Sequence, residues 1–245
     1  MNRFIANLTS IFIIHIGMLY AIQARAQSDE ARLEKACPAA FAERARLRAK
    51  KPATKHATMF TRPALRKELL EMAQQDQAAR ELFLGAGNAT AGALPIDDPS
   101  RLAVKHVDDI NLPKLKHIIA QEGLPTITMV GLDGLQAAFI LIQHADSDVA
   151  FQARMLTVIS ARLNGGGING NEYALLTDRV LLAQNKRQRY GTQFVGDTNQ
   201  MKPRPIEDEG RVDQRRHALG LISLANYSCI MHAIYAREET QKSAR

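Results

Sequence analysis

The chain contains no tryptophan, and aromatic residues make up only 5% of it. Proteins that grip single-stranded nucleic acid stack bases on aromatic platforms along a basic groove. Here the basic residues are spread over 44–55, 186–189 and 211–217 rather than gathered in one stripe, so no nucleic-acid partner is expected. His-Glu-x-x-His and Cys-x-x-Cys are both missing, which removes the common zinc and dithiol patterns. His144-x-Asp146 offers two ligand types without a third at a recognised spacing. No metal and no cofactor are expected. No serine sits in a Gly-x-Ser-x-Gly turn, and no pair of carboxylates stands out as a glycosidase couple. The glycines around 164–171 lack the spacing and trailing Lys-Ser/Thr of a phosphate loop, so they read as a turn.

Cysteine is scarce as well. Cys37 and Cys229 stand near opposite ends of the chain, and neither has the His and Asp neighbours that nominate a nucleophile. An even count in an oxidising compartment invites a disulfide, whereas two buried thiols would behave as small hydrophobes. The residue types leave both open.

What is present begins with an address. Arg3 supplies a positive start, residues 4–22 are largely apolar, and Ala24-Arg25-Ala26 fits the small-x-small pattern of a secretory cleavage site. Residues 1–26 are therefore expected to be a signal peptide. The mature chain would be periplasmic or secreted from a bacterium, with no stable membrane anchor after cleavage near Ala26. Removing Arg3 and Arg25 from the formal charge of +7 leaves +5 on 219 residues (245 − 26). That length supports one sizeable core.

The most telling stretch is Gly134-Leu-Gln-Ala-Ala-Phe-Ile-Leu-Ile-Gln-His-Ala-Asp146. It is almost wholly apolar from Leu135 to Ile142, then stops on Gln143, His144 and Asp146. A helix apolar on nearly all sides must be surrounded by its own domain. The expected fold is mainly α: one compact multi-helix domain with a buried central helix at about 132–145. A short extended segment or hairpin is expected near 188–195. Residues 27–100 read as an N-terminal helical arm and 101–245 as the main helical domain. Asp108–Pro113 reads as a break between two helices, with Asn111 as the cap of the second and Pro113 in its first turn. Residues 124–131 read as extended or irregular, because Pro125 disfavours helix before it.

Polar residues on apolar stripes are the candidates for chemistry. On the helix at 172–186, Asp178 and Arg179 fall on the stripe defined by Leu175 and Leu182. Charges pointing inward tolerate burial only when paired or bonded. Asp178 is then a base or orienting acid and Arg179 an anion binder, unless the two serve ion pairs that fix a loop. His144 lines up with Ala137, Ile140 and Leu141. It is either a general acid/base or a core histidine satisfied by a carbonyl. Gln188, Tyr190 and Gln193 surround Gly191 and either line a pocket or decorate a surface hairpin. Asp213 and His217, four apart, read as a surface pair.

Several of these segments occur together in order: Gln143-His-Ala-Asp146, Phe151-Gln152, Leu176-Thr-Asp-Arg-Val180, Gln188-x-Tyr-Gly-Thr-Gln193, Pro205-Ile-Glu-Asp208 and Val212-Asp-x-Arg-Arg216. From about Asp108 to Tyr227 the chain resembles a bacterial family of unknown function. The resemblance implies that the motif residues act together. It makes His144 and Asp178 catalytic candidates, with Asp146, Arg179, Gln188, Tyr190 and Gln193 as substrate-binding candidates in one shared cluster. It brings no activity or partner with it. Two readings follow. One is an envelope or extracellular hydrolase; the other is a non-catalytic binding or interaction module whose polar cluster is structural. The first needs His144, Asp178 and Gln193 to line one open cleft.

Overall fold

A computed structural model describes residues 29–49, 59–85, 97–163, 165, 167–196 and 201–243. The expected leader, Ser28 and the polar connection at 50–56 lie outside those residues. Residues 29–36 form helix α1, followed by α2 (Pro38–Arg48), α3 (Pro63–Gly85), α4 (Pro99–Glu122), α5 (Ile127–Gln143), α6 (Val149–Ser160) and α7 (Gly170–Ala183). Two-residue strands β1 (Phe194–Val195) and β2 (Lys202–Pro203) pair antiparallel. A single 3-10 turn (Glu209–Arg211), α8 (Val212–Ala218) and α9 (Leu224–Ser243) complete the chain. The fold is mainly helical, as expected.

The main core gathers around α5. Val130, Leu135, Ala138, Phe139, Leu141 and Ile142 of that helix are buried, and α3 and α4 lie against it through Leu69, Met72, Leu115 and Ile118. Met155 and Ile159 of α6 and Leu176 and Val180 of α7 join the same core. Each fully buried Leu, Ile or Phe contributes about 1.5–3 kcal/mol, so this single apolar helix organises most of the hydrophobic gain. Thr126 caps α5, accepting from the Met129 amide, so helix begins at Ile127, inside the stretch expected to be extended or irregular. A break at Gly131 (φ 76°) separates that first turn from the main run. A side chain at 131 would press within 2.9 Å of the Phe60 ring, which explains glycine there.

α4 differs from the sequence expectation. It is one continuous helix that carries Pro113 inside it, not two helices separated at 108–113. Proline removes a backbone hydrogen bond and costs about 3 kcal/mol in a helix interior. Leu115 and Ile118 beyond it are buried against the core, which offsets that cost. Asn111, expected as a cap, is therefore mid-helix and 4% exposed, with its Nδ2 donating to the Met72 carbonyl of α3.

α2 is fixed to the C-terminal helices. A disulfide joins Cys37 to Cys229 across a Cα separation of 6.0 Å. Beside it Glu43 accepts from the Ser223 amide and hydroxyl, from Asn226 Nδ2 at 2.6 Å, and meets His217 Nε2 at 2.8 Å.

Candidate functional site

His144 ends α5, where the apolar run gives way to polar residues. Its Nδ1 lies 2.7 Å from Oδ2 of Asp76, a residue of α3 that is 1% exposed. The other Asp76 oxygen accepts from Arg80 Nη1 at 2.5 Å, one turn further along α3. Gln77 Nε2 adds a bond to Oδ2 at 2.9 Å. Arg80 then crosses to α4, where its Nη2 donates to both oxygens of Asp108 at 2.9 and 3.1 Å. The chain His144–Asp76–Arg80–Asp108 thus ties three helices together.

Burial alone would raise the Asp76 carboxyl, but the His144 hydrogen bond and charge, with Arg80 beside it, hold it below the ordinary range. Asp108 goes the other way. Burial pushes its carboxyl up and the neighbouring Asp76 adds to the rise, against the pull of Arg80. One guanidinium serves two acids, and Asp76 has the His144 hydrogen bond in addition.

A small cleft of about 260 Å³, including its open mouth, lies above this network, with Asp76, Asp108, Asn111 and His144 on its polar side. Leu112, Leu115, Leu141 and Ala145 form its apolar side, and Ser147 stands at the edge. Its enclosed part has room for about one water-sized group. Asp108, Asn111, Leu112 and Leu115 reach it together because α4 continues through Pro113 and puts positions three, four and seven apart on one face. With Nδ1 taken by Asp76, no described residue bonds to the second ring nitrogen of His144, Nε2. An imidazole oriented at one nitrogen by a buried carboxylate is the arrangement that lets the other nitrogen move a proton.

The remaining sequence candidates fall into two other groups. Asp146 accepts from Arg179 Nη1 at 2.9 and 2.6 Å, and Gln152 Nε2 reaches Asp146 together with the last carbonyls of α5, at Ile142 and Gln143. This closes a helix end that would otherwise leave carbonyls unpaired.

Asp178, expected beside His144, is buried elsewhere. Its oxygens accept the amides of Arg189 (2.6 Å), Tyr190 (2.9 Å) and Thr192 (2.8 Å) and the Thr192 hydroxyl (2.9 Å). Burial pushes its carboxyl up in spite of these bonds. Gln188 completes the loop internally: it accepts from the Gln193 amide and donates to the Gln193 and Arg204 carbonyls. Gln193 Nε2 donates to Thr192 Oγ1, and Tyr190 packs edge-on against Tyr173. Arg216, 2% exposed, donates to the Tyr190 and Ile222 carbonyls and stacks on Tyr227. The single expected cluster is therefore three separate constructions, and the reason is reach. A carboxylate saturated by loop amides has no lone pair left to orient a distant imidazole.

Asp213 and His217 do not pair with each other. Asp213 accepts the Leu224 amide, while His217 turns to Glu43. Asp76, Arg80, Asp108 and Asn111 escaped the sequence reading. Their signal was present, because Asp76 follows Leu69 and Met72 at helical spacing, and Asn111 precedes Leu115 and Ile118 in the same way.

Among the described residues no group of three or more His, Cys, Asp or Glu is arranged to hold a metal ion. No described helix is long and apolar enough to cross a membrane. Neither the curated proteins nor the solved structures contain a match to this chain. A family model matches residues 63–238, from the first turn of α3 into α9. That span takes in His144, Asp76 and the 188–193 loop, and the chain belongs to a family of unknown function, DUF6624.

Proposed function

We propose that the protein is an exported hydrolase whose working group is His144, oriented by Asp76, acting at the cleft between α3, α4 and the end of α5. The observation that carries this reading is the 2.7 Å contact of His144 Nδ1 with a carboxylate that is itself buried and clamped by Arg80. It leaves Nε2 for proton transfer to and from a reacting group at the cleft, the role that a positioned imidazole performs in hydrolysis. Export is supported by the pattern of residues 1–26 and by the Cys37–Cys229 disulfide, a bond that persists in oxidising compartments.

Two observations favour the second reading, a binding module with a structural polar network: one is that Asp178 and Gln193 are bonded within the 188–193 loop and do not join His144 in lining the cleft, the other is the size of that cleft. The cleft is smaller than the roughly 300–1,000 Å³ of most small-molecule sites. The two readings part on a direct experiment. The wild type, His144→Gln and Asp76→Asn are screened against ester, amide, phosphoester and glycoside reporters, with folding checked by circular dichroism. The hydrolase reading expects turnover of one class, lowered about 100-fold or more in folded His144→Gln and less in Asp76→Asn. Equal turnover in wild type and folded His144→Gln would refute it.

A further inference from the structure

One residue in the wall of the cleft carries an unmet acceptor. Asn111 is 96% buried (4% exposed) and donates through Nδ2 to Met72 O, yet its Oδ1 meets no donor. A buried acceptor without a donor costs about 1–3 kcal/mol, so it marks a place where a donor belongs. The charge around it is also incomplete. Two carboxylates, Asp76 and Asp108, share the single guanidinium of Arg80. The enclosed space holds one water-sized group, walled on its other side by Leu112, Leu115 and Leu141. A primary ammonium has that size, three N–H donors and the compensating charge.

We infer that the cleft binds the primary ammonium head of its ligand, with an N–H directed to Asn111 Oδ1 and the charge set against Asp108 and Asp76. The apolar wall takes the first methylenes of the amine. A quaternary ammonium has no N–H for Asn111 and is too large for the enclosed space. A neutral alcohol supplies the donor but not the charge. The inference rests on the reading of this cleft as the functional site, but its test is independent of turnover.

The test uses the full chain with its disulfide intact. Amide and imidazole NMR signals of the wild type are followed during titration with methylammonium chloride, and in parallel with tetramethylammonium chloride and methanol. Saturable shifts centred on His144, Asn111 and Asp108 are expected with methylammonium, and at least 10-fold weaker binding with the other two. Asp108→Asn is expected to weaken methylammonium at least 10-fold. A peptide with blocked termini and one lysine, titrated in the same way, distinguishes a polypeptide side chain from a free amine as the source once methylammonium has been seen to bind. No saturable shift with methylammonium overturns it, as does equal binding of tetramethylammonium. Both of those outcomes are read on the wild type alone and do not depend on the variant folding. Ammonium binding without turnover of any reporter leaves this inference standing and removes the hydrolase reading. Turnover that depends on His144 without ammonium binding does the reverse.

Discussion

Glu43 makes the sharpest measurable statement about stability. Its carboxylate joins α2 to the start of α9 and to α8, with its side chain only 14% exposed. Burial by itself raises a carboxyl, but the hydrogen bonds from Asn226, His217 and Ser223 outweigh it and lower Glu43 from 4.5 to about 2. A folded value below the unfolded one means that the ionised form stabilises the fold. The contribution is complete above the unfolded value and is lost as pH falls toward the folded one. The full shift amounts to about 3 kcal/mol at neutral pH, of which about 2 kcal/mol is gone by pH 3. Urea unfolding of wild type and Glu43→Gln at pH 7, 5, 4 and 3 reads this group, because the two proteins differ at this carboxyl alone and the narrowing between pH 5 and 3 falls in the carboxyl range. The wild type should be the more stable by about 2–3 kcal/mol at pH 7, and the gap should narrow by about 2 kcal/mol at pH 3. A gap that stays constant across that range refutes the assignment of the low carboxyl to Glu43.

Two further outcomes concern the frame. Asp178→Ala leaves three loop amides without their acceptor, two of them buried, and should destabilise by about 3–5 kcal/mol in chemical denaturation, with Asp178→Asn milder. Reducing the Cys37–Cys229 bond opens a loop of 192 residues and should lower stability by about 5 kcal/mol in the chain-entropy model, read as a drop in Tm with reductant or in Cys37→Ser. A Tm indifferent to reductant would refute a stabilising role for the bond and leave the joint to the Glu43 contacts and the apolar cluster of Ala40, Phe41, Ile230 and Ile234.

The fold was legible where one pattern dominated. The apolar run from Leu135 to Ile142 admits only a buried helix, and its polar stop put His144 at the margin of the core. The inward placement of Asp178 was readable from the same periodicity. Its target was not, because backbone amides carry no signal in the side-chain sequence. Asp76 stands 68 residues before His144, in a helix first read as part of a peripheral arm, and α3 instead packs against α5. The stripe argument applied to Asp178 would have found Asp76 as well, since both interrupt a row of buried apolar residues. Pro113 misled for a different reason. Local propensity favours a helix start there, and burial of Leu115 and Ile118 overrides it. That override also hid Asn111, which as a cap would have been solvated and unremarkable.

The Tyr190 peptide lies between two buried charges of opposite sign. Asp178 of α7 holds its N–H, and Arg216 of α8 holds its carbonyl. The shape of the loop is therefore written in two helices outside it as much as in its own Gln188. Such a loop behaves as a strut: α7 and α8 cannot shift relative to one another without carrying it along. Conversely, the outward side chain of Arg189, which meets Glu207, can be exchanged without asking the backbone beneath it to find a new path.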